Sequence, residues 1–292
     1  MPNLAYFLNL AVNGLIQGMI ISLAALAVTL VFGIARFPNA AAGDTVTVGA
    51  YAAFGAQSLL GKSIVPAALA AMITSAAVSV FFYLTVFRRL ARRSSVAALI
   101  ASIGIAFMLR SVITFFLGYD QRAYGLPILR AFKVGPVRLV PTDLYLSLTA
   151  LAALAVVFVA LYFTPLGRRM RAVADNPELA RTSGIDADRV LVVLWILVGA
   201  ISGLAGVLLG VKTVISPEMG WDILLPAFAA TILGGIGSPV GAVLGSLLLG
   251  VAQEISTPFV GFTYKLGIGF VVLLLVLLVR PAGMFGRAEL VR

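Results

Sequence analysis

Apolar runs recur along the whole chain, most of them about 17–25 residues long, the length a helix needs to cross the hydrocarbon core of a bilayer. They lie at about 8–33, 46–60, 64–87, 96–118, 142–163, 190–213, 222–236, 239–255 and 262–280. A soluble fold would have to bury several helices that are apolar on every face, which one 292-residue domain cannot do. The runs are continuous rather than alternating, so a transmembrane barrel is excluded. The expected fold is an all-α polytopic membrane protein of about 8–10 transmembrane or membrane-dipping helices, forming one domain over residues 1–292 in contact with the lipid bilayer.

The formal charge of +10 invites a nucleic-acid reading until the charges are placed between the runs. With the N-terminus outside, thirteen of the 21 Lys and Arg fall inside: Arg36, Arg88, Arg89, Arg92, Arg93, Arg168, Arg169, Arg171, Arg181, Arg189, Arg280, Arg287 and Arg292. Seven fall outside (Lys62, Arg122, Arg130, Lys133, Arg138, Lys212 and Lys265), and Arg110 lies within a run. This is the positive-inside asymmetry, so the basic balance reports topology, with a cytoplasmic C-terminus, and no nucleic-acid partner is expected. Because Arg36 is the first positive side chain, the opening run reads as a retained helix rather than a cleaved leader. Cys and His are absent, which excludes disulfides, thiol chemistry, the usual zinc and haem sites and any His-based triad.

Three stretches interrupt the helical pattern at membrane depth: "RFPNAAAGDTVTVGAY" (Arg36 to Tyr51), "ISPEMGWD" (Ile215 to Asp222) and "LGGIGSPVGAVLG" (Leu233 to Gly245). Irregular backbone survives there only when buried in protein or lining a wet cavity, and short Gly/Pro-interrupted runs point to a substrate path in transporters. Asn39, Gly43, Asp44, Gly234, Gly235 and Gly237 are the resulting path candidates; the alternative for the last three is a tight loop between ordinary helices. G-x-x-x-G spacings at Gly14/Gly18, Gly199/Gly203, Gly206/Gly210 and Gly241/Gly245 permit close helix approach, either within one subunit or across a dimer seam. The external segment 119–141 carries Gly125, Pro127, Gly135, Pro136 and Pro141 and reads as an ordered loop or short hairpin.

One polar segment stands apart, "PLGRRMRAVADNPELARTSGIDADRV" (Pro165 to Val190). Thr164-Pro165 and Asn176-Pro177 each offer a helix N-cap followed by Pro at the first helical position, and Gly184 suits the left-handed position after a helix end. Two short helices at about 165–174 and 177–183 are expected, with Met170 and Val173 on one face and Arg168, Arg169 and Arg171 off it. Five arginines against Asp175, Glu178, Asp186 and Asp188 leave the elbow nearly neutral, unlike a polyanion-binding arm. Such an elbow, over about 164–189, is either a docking surface for a soluble partner or a solvated loop.

The segment "GRRMRAVADNPELARTSGID" resembles the cytoplasmic loop of permease subunits in the branched-chain amino-acid family of ATP-binding-cassette importers. "VFGIARFPNAAAGDTVTVGAY", "AFAATILGGIGSPVGAVLGSLLLG" and "LVRPAGMFG" resemble other stretches of that family in the same order, over about residues 28 to 286. The resemblance implies that the elbow couples to an ATPase subunit through Gly167, Met170, Arg171, Ala172, Asn176, Pro177, Glu178, Leu179, Ala180, Gly184 and Ile185. It also implies a second related permease (a hetero- or homodimer), cytoplasmic ATP-binding-cassette ATPases, an external solute-binding protein and a bacterial inner-membrane location. The chain has no G-x-x-x-x-G-K-[ST] phosphate loop, so ATP and Mg belong to the partner ATPase and this chain is a permease rather than an enzyme. The first motif departs from the family's common Asn-Phe-Ala-His-Gly-Asp/Glu, because Ala40 and Ala42 replace the aromatic residue and the histidine. The solute thus stays open among branched-chain and other amino acids, amides and urea.

A secondary transporter or facilitative channel is the rival reading, and a non-transporting scaffold a third. Ion coupling needs ionisable groups inside the bundle, and the candidates are Arg110, Asp44 and Glu254. Arg110 has no acid near it in sequence; it is either a paired or snorkelling structural charge or a path-lining residue.

Overall fold

The computed structural model describes residues 4–61, 63–91, 93–127, 129–280 and 282–286; Lys62, Arg92, Arg287 and Arg292, counted in the charge asymmetry, lie outside them. The order is α1 (Leu4–Leu30), running through a π-helical turn (Val31–Ala35), α2 (Ala41–Leu60), and α3 (Ile64–Phe82), running through a second π turn (Tyr83–Phe87) into α4 (Arg88–Leu90). Then come α5 (Ser95–Leu117), a hairpin of β1 (Phe132–Val134) and β2 (Val137–Leu139), and α6 (Pro141–Phe163). The polar elbow forms α7 (Pro165–Asp175) and α8 (Pro177–Thr182), and α9 (Ala187–Lys212), α10 (Met219–Gly234), α11 (Pro239–Val260) and α12 (Lys265–Val279) complete the chain. Among the described residues six helices are long and apolar enough to cross a membrane, and α10 and α12 are shorter apolar helices. The 20-residue α2 carries Asp44, Thr45 and Thr47 in its first two turns, which dilute its apolar character. The protein is thus an all-α polytopic membrane protein, with the anticipated runs shifted by at most a few residues at their ends.

Glycines set how closely the helices approach. A Cβ placed on Gly14 would lie 2.6 Å from Val251 Cα, and one on Gly18 would lie 2.8 Å from Leu247 Cα, so α1 and α11 meet backbone to backbone. Gly199 faces Ala76 and Gly203 faces Ala71 on α3, Gly206 faces Val46 on α2, and Gly245 faces Ala230 on α10. The G-x-x-x-G pairs are therefore used inside the protomer. In lipid, where apolar side chains gain nothing by leaving the solvent, such close packing is what holds helices together. The second half of α1, the first half of α2, and much of α9 and α10 are buried, whereas α3, α5, α6 and α12 turn large apolar side chains outward, among them Ile73, Phe115, Leu148 and Leu278.

The two ends of the bundle differ. At one end the elbow gathers Arg36, Arg88, Asp188 and the α10–α11 turn, where Gly237 touches Gly33. At the other, the β-hairpin turns at Gly135 (φ 60) and is tied to α1 by Asn9, which donates to Pro136 O (3.0 Å) and accepts from Arg138 N (2.7 Å). The expected ordered loop is this hairpin.

Candidate functional site

The first helix break is built from local hydrogen bonds. After the turn Val31–Ala35, Arg36 adopts a left-handed conformation (φ 60, ψ 31), and Pro38 bars continuation of the helix. Asn39, 2% exposed, accepts from Ala41 N (3.1 Å), while Ala40 N donates to Ser102 Oγ (3.0 Å) on α5. These bonds start α2 inside the bundle. Ser75 Oγ donates to Thr45 O (3.2 Å), and Ser75 lies near the middle of the 27-residue span Ile64–Leu90, so the first turns of α2 sit at mid-span.

The second break delivers α10 to the same depth. Beyond α9 the chain turns back, and Ile215, fully buried, exchanges backbone hydrogen bonds with Arg122 (2.9 and 2.7 Å). This satisfies the irregular backbone that lipid would leave unpaired. Met219 opens α10, and Gly220 N donates to Thr47 Oγ1 (3.0 Å). Gly43 and Gly220 are in backbone contact: a Cβ on Gly220 would stand 2.0 Å from Gly43 O, and one on Gly43 would stand 2.3 Å from Gly220 O. From this junction the 16 residues of α10 run about 24 Å to the elbow end, short of a full crossing of the roughly 30 Å hydrocarbon core.

At the junction Asp44 meets Arg110. Arg110 Nε lies 3.2 Å from Asp44 Oδ1 and Nη2 lies 3.3 Å from Oδ2; the Asp44 side chain is fully buried and that of Arg110 is 19% exposed. The guanidinium also stands over Trp221 (5.3 Å to the ring centroid) and Phe107 (5.7 Å). Asp222 lies within electrostatic range of Glu218 and of Arg110. Of the two readings of Arg110, the structure gives the paired charge, which also borders the exposed face formed by Glu218, Trp221 and Asp222. Sequence reasoning offered no partner for Arg110 and passed over Trp221, Glu218 and Asp222 as site residues; the one signal present was the "ISPEMGWD" interruption itself.

Asn39, Gly43 and Asp44 are therefore brought together, but Gly234, Gly235 and Gly237 are at the elbow end. There Gly235 (φ 103) and Gly237 (φ 82) make a tight turn, which the C-terminal segment clamps through Met284 N to Leu233 O and Phe285 N to Gly234 O (2.9 Å each). A Cβ on Gly235 would meet Gly286 N at 2.3 Å. Ala40 and Ala42 are buried (8% and 3% exposed), and Ala42 packs with Val28 and Leu224. An apolar cleft of about 390 Å³ between α3, α6 and α9 at the hairpin end lies apart from the junction; its walls, among them Leu69, Leu146 and Leu208, carry no charge.

The elbow candidates also separate by environment. Gly167, Met170, Val173 and Ala180 face the bundle, with a Cβ on Gly167 only 1.7 Å from Leu161 O. Asn176 caps α8, its Oδ1 accepting from Glu178 N and Leu179 N at 3.0 Å each, and Gly184 takes its left-handed turn at φ 81. Thr164 holds the cap position of α7 without capping it: its hydroxyl donates back to Ala160 O (2.5 Å), because the preceding helix end offers the nearer acceptor. Arg171 is exposed yet engaged, donating to Leu161 O (2.7 Å) and lying over Tyr162 (5.8 Å). Ala172 and Ile185 are half-buried, whereas Pro177, Glu178 and Leu179 stand exposed on the outer surface, Leu179 at 64%.

A sequence profile described as "Branched-chain amino acid transport system / permease component" matches residues 10–278. The high-affinity branched-chain amino acid transport system permease protein BraD of Pseudomonas aeruginosa is 32% identical over 307 aligned residues, covering 99% of each chain. The corresponding LivH of Escherichia coli K12 is 32% identical with 97% of each chain covered, and the probable LivH permease of Methanocaldococcus jannaschii is 29% identical with 94% of this chain and 91% of that one covered. With six long apolar spans among its described residues, the chain thus belongs to the permease-component family of branched-chain amino acid transport systems, as a multi-pass protein of the inner membrane.

Proposed function

We propose that the chain is one permease of an ATP-driven importer and passes a small polar solute inward past the mid-span junction. The observation that carries this reading is the Asp44–Arg110 pair beside exposed Glu218, Trp221 and Asp222 at the start of the shorter helix α10. Charges at that depth are too costly to leave facing lipid and mark a wet path or a partner's surface. The uncovered face fits a second, related permease, with the path running between the two subunits. A zwitterionic amino acid suits a junction offering both signs of charge, and the names of the relatives point to branched-chain amino acids. Because Ala40 and Ala42 are packed in the core, their replacement of the family's bulkier residues acts on packing next to the path. Amides and urea remain alternatives for the assay.

In this reading the N-terminus is external and the elbow and C-terminus are cytoplasmic, following the bias of basic residues. The exposed tip Pro177, Glu178 and Leu179 docks on a separate ATPase that holds ATP and Mg, and an external binding protein delivers the solute. The test is affinity purification from native membranes, followed by reconstitution of what co-purifies and assay of leucine, amide and urea uptake. Co-purification of an ATPase with uptake that stops without ATP supports the reading. A chain recovered alone that moves solute without ATP supports a facilitator or secondary transporter instead.

A further inference from the structure

Among the described residues, Arg36 alone has a positive φ without being glycine. A side chain there crowds the backbone, so the position favours glycine unless the side chain itself does something. Here it does: Nε and Nη2 donate to Ala174 O (3.1 and 2.5 Å), and Nη2 donates also to Asp175 O (2.9 Å). Both carbonyls belong to the last turn of α7, where intrahelical donors run out and the helix dipole favours a cation. The grip falls at the corner between α7 and α8, next to Asn176 and the exposed tip Glu178 and Leu179.

From Arg36 the chain has no slack before the junction. Phe37, 1% exposed, packs tilted against Phe87 (5.2 Å between centroids) and stacks with Trp195 (6.3 Å), and Trp195 lies nearly parallel to Phe87 (4.9 Å, 9°). Pro38 is rigid, and Asn39 and Ala40 are fixed by the bonds to Ala41 and Ser102. Asp44 follows within the first turn of α2. Behind Arg36 lies the π turn Val31–Ala35, a helical irregularity of the kind that marks functional sites.

We propose that Arg36 is a strut that carries displacement of the elbow into the Asp44–Arg110 junction, a positioning residue for transport rather than a solute contact. The proposal rests on the reading of the elbow as the ATPase-docking element. A residue needed only to cap α7 or to shape the backbone would leave energy coupling untouched once the fold is made.

The test compares wild type, Arg36→Gly and Arg36→Lys, each assembled with the co-purifying ATPase and reconstituted. The readouts are melting temperature, amount of bound ATPase, and solute moved per ATP hydrolysed. The last is a ratio per assembled complex, so differences in folding yield cancel. Glycine accepts the left-handed backbone, so Arg36→Gly should bind the ATPase normally. It should move about tenfold less solute per ATP, within the roughly 5- to 150-fold range of coupled sites. Arg36→Lys, which keeps a cationic donor, should fall between the two. A wild-type ratio in Arg36→Gly overturns the strut, as does equal loss in the glycine and lysine variants. Failure of the wild-type chain to hold any ATPase is a separate outcome and overturns the docking reading on which the strut depends.

Discussion

Replacing Arg110 with leucine removes both bonds to Asp44 and leaves a carboxylate with no exposed side-chain surface in the middle of the bundle. Breaking a buried pair from one side costs about 3–5 kcal/mol, mostly because the remaining charge is stranded. Asp44→Asn is milder: Arg110 keeps part of its exposure, its places over Trp221 and Phe107, and the nearby Asp222, so the loss is about 1–3 kcal/mol. The double variant Asp44→Asn/Arg110→Leu strands a neutral amide instead of a charge and should recover part of the stability lost in Arg110→Leu. The assay is unfolding in mixed micelles followed by tryptophan fluorescence, and Trp221, beside Arg110, reports the site directly. A double-mutant cycle over the same variants isolates the coupling. The reasoning is refuted if Arg110→Leu costs no more than Asp44→Asn, or if the double variant is as unstable as the sum of the singles. The double variant also separates fold from function: part of the stability should return while solute uptake does not, if the pair borders the path.

Gly220→Leu should abolish folding or assembly, because the β-carbon alone would enter contact with Gly43 O; normal expression and uptake would show that the mid-span seat of α10 is not required. Asn176→Ala removes the acceptor for Glu178 N and Leu179 N and should weaken α8 by about 1 kcal/mol. Amide exchange in residues 178–182 should rise while exchange in the spanning helices stays unchanged. Gly235→Leu places a side chain at φ 103 against Gly286 N and should displace the C-terminal clamp; unchanged proteolytic protection at 282–286 would contradict this. Glu178→Ala with Leu179→Ala is a cleaner probe of docking than any change at Arg171, whose removal also frees Leu161 O. ATPase binding should fall with melting temperature unchanged, and full binding would remove the exposed tip from the docking surface.

Much of this architecture is written locally. Hydropathy over 17–25 residues suffices to mark a span, because the bilayer asks only for length and apolarity. The cap at Asn176, the Pro that opens α8 and the left-handed Gly184 act within a few residues, so the elbow was readable before any packing was known. The G-x-x-x-G pairs marked close approaches but not their partners, since small residues permit contact without choosing a neighbour. That choice was made by the tertiary structure. It placed Asp44 against Arg110 across 66 residues, Thr47 against Gly220 across 173, and Arg36 on the end of α7 across 138. It also divided one list of path candidates between two depths, with Asn39, Gly43 and Asp44 at the junction and Gly234, Gly235 and Gly237 at the elbow end. Sequence determined which segments are apolar enough to enter the membrane and where they are interrupted; only the packing of helix on helix decided how deep α10 begins and which charges meet, because a buried charge takes its partner from whatever helix is folded beside it.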